Sequence, residues 1–151
     1  MDLGIAGKKA LVCASSKGLG KGCAMALAEA GVDLILNARS QEVLEETAAL
    51  IRSRFNVNVE TVAADITSAE GQVEVLECAG AVDILVNNAG GPPPGMWSEW
   101  AREDFLSALN ANMLTPIALM SHYLPIMIEK GWGRVVNITS QSVKAPIAVL
   151  G

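Results

Sequence analysis

Residues Lys9 to Gly22, reading KALVCASSKGLGKG, constrain this chain more than any other stretch. A short apolar run, Ala10-Leu11-Val12-Cys13, stops at two serines and a lysine, then turns through Gly18-Leu19-Gly20. An alanine-rich helical pattern follows, Cys23-Ala24-Met25-Ala26-Leu27-Ala28. Strand, glycine turn and helix start in that order form a phosphate cradle. The first N–H groups of a helix have no intrahelical partner, and the aligned peptide dipoles favour an anion there. Glycine lets the backbone approach that anion with no Cβ between them. A GxG triplet recurs by chance, so its meaning depends on the rest of the chain.

A chain of 151 residues holds one domain with a real core. It is 51% hydrophobic and 18% charged but only 4% aromatic, so Ala, Val, Leu and Ile must fill that core. Parallel strands buried under helices have this composition. A net charge of −5 and the lack of a basic run argue against a nucleic-acid surface, so any anion site must be local. Met1-Asp2-Leu3-Gly4 does not read as a signal peptide. The longest apolar stretch, Met113 to Ile128, is interrupted by Pro116, Ser121, His122, Tyr123 and Pro125, and reads as a buried helix rather than a membrane span. Cys13, Cys23 and Cys78 lack CxxC or metal spacing and are expected to be buried, reduced thiols. The cytoplasm fits that usage.

Taken in order, the pattern predicts strands near 8–13, 32–37, 57–63, 82–87 and 134–139. Helices are predicted near 19–30, from Ser40 onward, over 68–78 and over 102–130, the last bent near Asn112 and Pro116. The second helix should turn Val43, Leu44, Ala48 and Ile51 inward, and the third Val73 and Leu76. Gly90-Gly91-Pro92-Pro93-Pro94-Gly95 reads as a rigid irregular loop. Regular alternation of strand and helix predicts an α/β, doubly wound, three-layer parallel sheet in the order 3-2-1-4-5. Such sheets bind ligands at the carboxyl ends of their strands, where the strand order reverses.

The polar residues fall at those ends. After the second strand comes Asn37-Ala38-Arg39-Ser40, where a carboxylate would hold the ribose hydroxyls of NAD. Ala38 and Arg39 stand there instead, with Lys17 on the glycine turn. Two cations and no carboxylate suit a 2′-phosphate, which points to NADP. Asp65, followed by Ile66, can accept from an adenine amino group or cap the third helix. Asn87-Asn88-Ala89-Gly90 ends the fourth strand, with small residues where a ribose or nicotinamide could approach.

These segments together resemble the short-chain dehydrogenase/reductase family, 3-oxoacyl-carrier-protein reductases most broadly. Its TGxxxGxG motif reads here Cys13-Ala14-Ser15-Ser16-Lys17-Gly18-Leu19-Gly20, with Cys for Thr and Ala for the first Gly. Ala14 adds a methyl where the turn is tight, which is expected to weaken cofactor binding. The NNAG motif is intact at Asn87 to Gly90, and the likeness covers the whole chain. It implies a Rossmann-like domain that binds NADP(H) through Ser16, Lys17, Gly18, Leu19, Gly20, Arg39, Asp65, Ile66, Asn88, Ala89 and Gly90. It also implies hydride transfer between the nicotinamide and a small carbonyl or secondary alcohol.

The family's active site joins an Asn in the long helix, a Ser after the fifth strand and a Tyr-x-x-x-Lys. Asn112 matches the Asn, with Asn110 as its neighbouring alternative, and Ser140 matches the Ser, with Ser142 as runner-up. In the family, the Asn orders a water relay and the Ser steadies the carbonyl oxygen, while the Tyr moves the proton. By the family's usual spacing, that Tyr falls beyond Gly151. Tyr123, the sole tyrosine, has Glu129 rather than a lysine near it, and His122 is expected on a helix surface or interface. The expectation is therefore the N-terminal, C-terminally incomplete part of a longer reductase, or else a non-catalytic NADP-binding or assembly module. Met113, Leu114, Ile117, Ala118, Met120, Leu124, Met127 and Ile128 offer more apolar surface than one sheet face can cover, which predicts a homo-oligomer, dimer or tetramer. Pro92, Pro93, Pro94, Met96 and Trp97 are expected to wall a substrate pocket.

Overall fold

A computed structural model describes residues 2–91 and 94–145, with the Trp97 side chain also outside the description. Five parallel strands, β1 (Lys9–Val12), β2 (Asp33–Ala38), β3 (Val59–Ala63), β4 (Ile84–Asn87) and β5 (Arg134–Asn137), form one sheet in the order β3-β2-β1-β4-β5. The helices α1 (Gly18–Glu29), α2 (Gln41–Arg54), α3 (Ala69–Ala79), α4 (Arg102–Leu109) and α5 (Thr115–Lys130) fill the connections. The doubly wound order predicted from the sequence is the one observed.

Strand alternation divides the core in two. Ala10, Val12, Leu34, Leu36, Ala38, Ile84 and Val86 point to one face and meet Ala24 and Ala28 of α1 and Leu44, Ala48 and Ile51 of α2. Leu11, Cys13, Ile35 and Leu85 point to the other and meet Val75 and Ala79 of α3 and Leu119, Tyr123 and Met127 of α5. Both faces of β1, β2 and β4 are thereby removed from water, which is why these strands are unbroken apolar runs. β5 is largely exposed at the sheet edge.

Several inward faces differ from expectation. In α3 the buried stripe is Gly71, Val75 and Ala79, while Val73 is 55% exposed and Leu76 only partly covered. Two valines two residues apart cannot share one helix face, and the Gly71 contact with the Asp65 carbonyl selects the register. In α2 the buried set is Leu44, Thr47, Ala48 and Ile51, and Val43 turns out to solvent beside a cleft. Ser40 occupies the N-cap position of α2 without a side-chain cap bond. Only Cys13 is a buried thiol; Cys23 is half-buried and Cys78 exposed. The irregularity expected near Asn112 is a π-turn, Asn110–Leu114, joining α4 to α5. Of the eight apolar residues expected to exceed one sheet face, Met127 packs inward and Met120 is partly buried, leaving Met113, Leu114, Ile117, Ala118, Leu124 and Ile128 exposed.

The amino ends of the strands are locked by Asp83. Its carboxylate accepts from the Lys9 N–H at 2.9 Å and pairs with Lys130, which ends α5. Burial alone would raise the Asp83 pKa, but the Lys130 and Lys9 hydrogen bonds and the Lys130 and Lys8 charges hold it below the usual aspartate value. The sign follows from linkage: a depressed folded-state pKa adds stability above the unfolded value of about 3.9, lost as pH falls through the folded pKa. Asp83→Asn should cost about 2 kcal/mol at pH 7 and flatten the acid limb of the stability curve, measured by urea unfolding from pH 7 down to pH 3.

Candidate dinucleotide site

At the carboxyl ends, side chains replace the strand ladder. Ser15 donates its N–H (2.9 Å) and hydroxyl (3.2 Å) to the Asn37 carbonyl, tying β1 to β2. The Asn37 amide donates to the Val62 and Ala64 carbonyls, both at 3.1 Å, tying β2 to β3. The Asn88 amide donates to the Cys13 and Ala14 carbonyls at 3.3 and 3.2 Å, tying β4 to the turn after β1. The Asn87 amide donates to Asn137 Oδ1 at 2.8 Å, tying β4 to β5. Burial pushes the Cys13 thiol up to about 12, so a neutral SH lines the base of the turn.

Two clefts open above this edge. The larger, about 420 Å³, runs past Ala14, Ser16 and Lys17, then Arg39, Ser40 and Val43, then Asp65, Ile66 and Thr67, and reaches Ala89, Gly90 and Gly91. The smaller, about 240 Å³, lies between Asn87, Asn88 and Ala89, the π-turn with Asn112, and Asn137, Ile138 and Thr139. Ala89 and Ala111 line both, so the two adjoin.

The glycine turn has the shape the sequence implies. Lys17 sits at the N-cap of α1 in an extended conformation, and Gly18 adopts φ +57°. A Cβ on Gly20 would lie 2.2 Å from the Ala14 carbonyl oxygen, so this position admits no side chain. Ala14 itself is left-handed, with φ 47°. Asp65 Oδ1 accepts from the Thr67 N–H at 3.0 Å and its hydroxyl at 2.7 Å; those bonds and nearby Arg39 hold the Asp65 pKa down. Ser68, not Asp65, caps α3, accepting from the Gly71 N–H.

Nine of the expected site residues line the clefts, Ser16, Lys17, Arg39, Asp65, Ile66, Asn88, Ala89, Gly90 and Asn112, and so does Val43, which was expected in the core. Gly18, Leu19 and Gly20 form the adjoining helix start, and Leu19 is 67% exposed. Ser140 lines neither cleft; its hydroxyl accepts from the Ser142 N–H at 3.1 Å, capping a short 3-10 turn. The Asn112 amide donates to the Ala108 carbonyl at 3.1 Å, while Asn110 reaches across to the Thr67 carbonyl at 2.8 Å. Tyr123 is fully buried, its hydroxyl unpartnered, and reaches neither cleft. Met96 lines neither cleft, and the Pro92, Pro93 and Trp97 side chains lie outside the described residues. Asn137 went unnoticed in the sequence. It pairs in register with Asn87 across β4 and β5, which only the sheet register reveals.

Residues 8–151 match the short chain dehydrogenase family, and the chain belongs to it. It is 33% identical over 149 residues to an L-xylulose reductase of Mesocricetus auratus, covering 98% of this chain and 59% of that protein. It is 31% identical over 144 residues to a 3-oxoacyl-[acyl-carrier-protein] reductase of Aquifex aeolicus, covering 93% and 58%. The L-sorbose reductase of Gluconobacter frateurii, solved with NADPH and L-sorbose, superposes with a TM-score of 0.91 at 32% identity over 99% of this chain and 59% of that one. The chain thus spans a little over half the length of these relatives. No helix among the described residues is long and apolar enough to cross a membrane.

The turn distinguishes two nearby glycines. Gly20→Ala should cost about 3 kcal/mol, because a methyl meets backbone. Gly22→Ala, with nothing within 4 Å of the added Cβ, should stabilise α1 by about 0.5–1 kcal/mol. Urea midpoints of the two variants test the contrast.

Proposed function

We propose that these residues form the dinucleotide-binding part of an NADP(H)-dependent oxidoreductase acting on a carbonyl or secondary alcohol. The larger cleft carries the reading: it opens beside Lys17, at the N-cap of α1, and Arg39, and Ala38 rather than a carboxylate ends β2. The residues fit a 2′-phosphorylated dinucleotide. Ser16, Gly18, Leu19 and Gly20 would hold the diphosphate on the N–H groups of α1. Lys17 and Arg39 would hold the 2′-phosphate, the guanidinium through paired donors. Asp65, with Oδ1 taken by Thr67, keeps Oδ2 for an adenine amino group beside Ile66. Ala89 and Gly90 leave room for the ribose leading into the smaller cleft.

When bound, the nicotinamide supplies or accepts the hydride. The protein's part is placement and proton handling. Asn112 would order water in the smaller cleft, and Ser140, just beyond Thr139, would steady the substrate oxygen. A second reading, a non-catalytic NADP-binding or assembly module, draws support from Tyr123: the only phenol in residues 1–151 is buried between α5 and the sheet. On either reading residues 1–151 alone should bind cofactor weakly and turn over no substrate, because Tyr123 is buried away from both clefts. The residues after Gly151 discriminate: a Tyr-x-x-x-Lys there favours the enzyme, its absence the module.

Thermal-shift titration is the test. NADPH should raise the melting temperature more than NADH at equal concentration, and Arg39→Ala should weaken NADPH about tenfold while leaving NADH within about twofold. Equal shifts, or a preference for NADH, would overturn the assignment of Lys17 and Arg39.

The exposed band of Met113, Leu114, Ile117, Leu124 and Ile128 supports self-association. Light scattering should give a mass of at least two chains; a stable monomer counts against it.

A further inference from the structure

We propose that Asn110 is a positioning residue: it anchors α4 and the π-turn to the β3–α3 loop, and so sets Ala111 and Asn112 at the clefts while lining neither itself. The inference rests on reading the two clefts as the dinucleotide site. Little else among the described residues holds this segment down. Neither α4 nor the π-turn buries a residue, and Phe105, Leu106, Leu109, Met113 and Leu114 are each about half exposed. Packing therefore contributes little there. Apart from the helix running on into α5, the Asn110 amide supplies the one hydrogen bond from residues 96–114 to the rest of the described chain. It donates to the Thr67 carbonyl, 43 positions away, at 2.8 Å. Thr67 is a firm seat. Its N–H and hydroxyl both donate to Asp65 Oδ1, at 3.0 and 2.7 Å, and the Ser68 N–H and hydroxyl both donate to the Asp65 carbonyl at 3.0 Å. The Asn110 carbonyl in turn accepts the Thr115 N–H that closes the π-turn. One side chain thus joins a loop lining the larger cleft, through Asp65 and Thr67, to a turn lining the smaller one, through Asn112.

Losing that bond has a selective consequence. Thr67 keeps its own bonds to Asp65, so the adenosine half of a dinucleotide should bind as before. The freed element is the segment with no buried residue. It would swing about the start of α5, whose Thr115, Leu119, Tyr123 and Met127 stay buried. Asn112 would then spend only part of its time at the smaller cleft, and a ligand that needs both clefts would lose affinity by that fraction. A residue that merely stabilised the fold would weaken both kinds of ligand alike.

The test uses residues 1–151 with two ligands, 2′,5′-ADP for the larger cleft alone and NADPH for both. Affinities are measured by NMR titration, and backbone amide exchange is measured without ligand. Asn110→Ala should weaken NADPH about tenfold and leave 2′,5′-ADP within about twofold. It should also speed exchange in α4 and the π-turn about tenfold while α1 is unchanged. Equal losses for the two ligands, unchanged NADPH affinity or unchanged exchange would overturn the proposal. If the parent chain binds neither ligand, or binds both equally, the two-cleft reading fails and exchange alone decides the anchor. Faster exchange confined to α4 and the π-turn then supports it, and unchanged exchange or faster exchange throughout the chain overturns it. Should Asn110→Ala not fold, Asn110→Leu, which fills the space without a donor, takes its place.

Discussion

The carboxyl edge of this sheet depends on side-chain amides that carry hydrogen bonding past the point where the strand ladders end. A buried backbone carbonyl without a donor is costly, and the ends of five parallel strands expose a row of them. Asn37, Asn88 and the Asn87–Asn137 pair, with Ser15, join each neighbouring pair of strands. An asparagine NH2 has two protons and can bridge two carbonyls, which a hydroxyl cannot do. The result is a rigid rim from which loops leave in fixed directions.

The two ends of the sheet use charge differently. At the amino end Asp83 is almost fully buried, bonded to the Lys9 N–H and paired with Lys130, while Lys8 and Arg134 both lie over the Trp132 ring. These charges are consumed internally and fasten α5 and β5 to the sheet. At the carboxyl end Lys17 and Arg39 are exposed on the rim of a cleft, in a chain whose net charge is −5. Local cations on an acidic protein favour a small anion over an extended polyanion.

Strand–helix alternation and the apolar runs made the topology legible, because parallel strands buried on both faces leave little choice of arrangement. The position of the candidate site was legible for the same reason: Arg39, Asp65 and Asn88, which line the clefts, each follow a strand. Helix faces were less so. Val73 and Val75 are equally apolar, and only the seat of Gly71 on the Asp65 carbonyl decides which is buried. Cys78 and Met127 show the same limit, since a helix turned by one residue exchanges its inner and outer sets.

By itself, then, the sequence determined the doubly wound order, the glycine turn and the absence of a carboxylate after β2, each a matter of residue type and spacing along the chain. Tertiary structure decided which groups remain free at that turn. Asn88 directs its amide to the Cys13 and Ala14 carbonyls; Asn110 is drawn to Thr67; Ala14 adopts a conformation that alanine alone would avoid. These outcomes depend on groups brought together from up to 75 positions apart, as Asn88 and Cys13 are. A donor takes whichever acceptor the packed neighbours present, and local sequence carries no record of that.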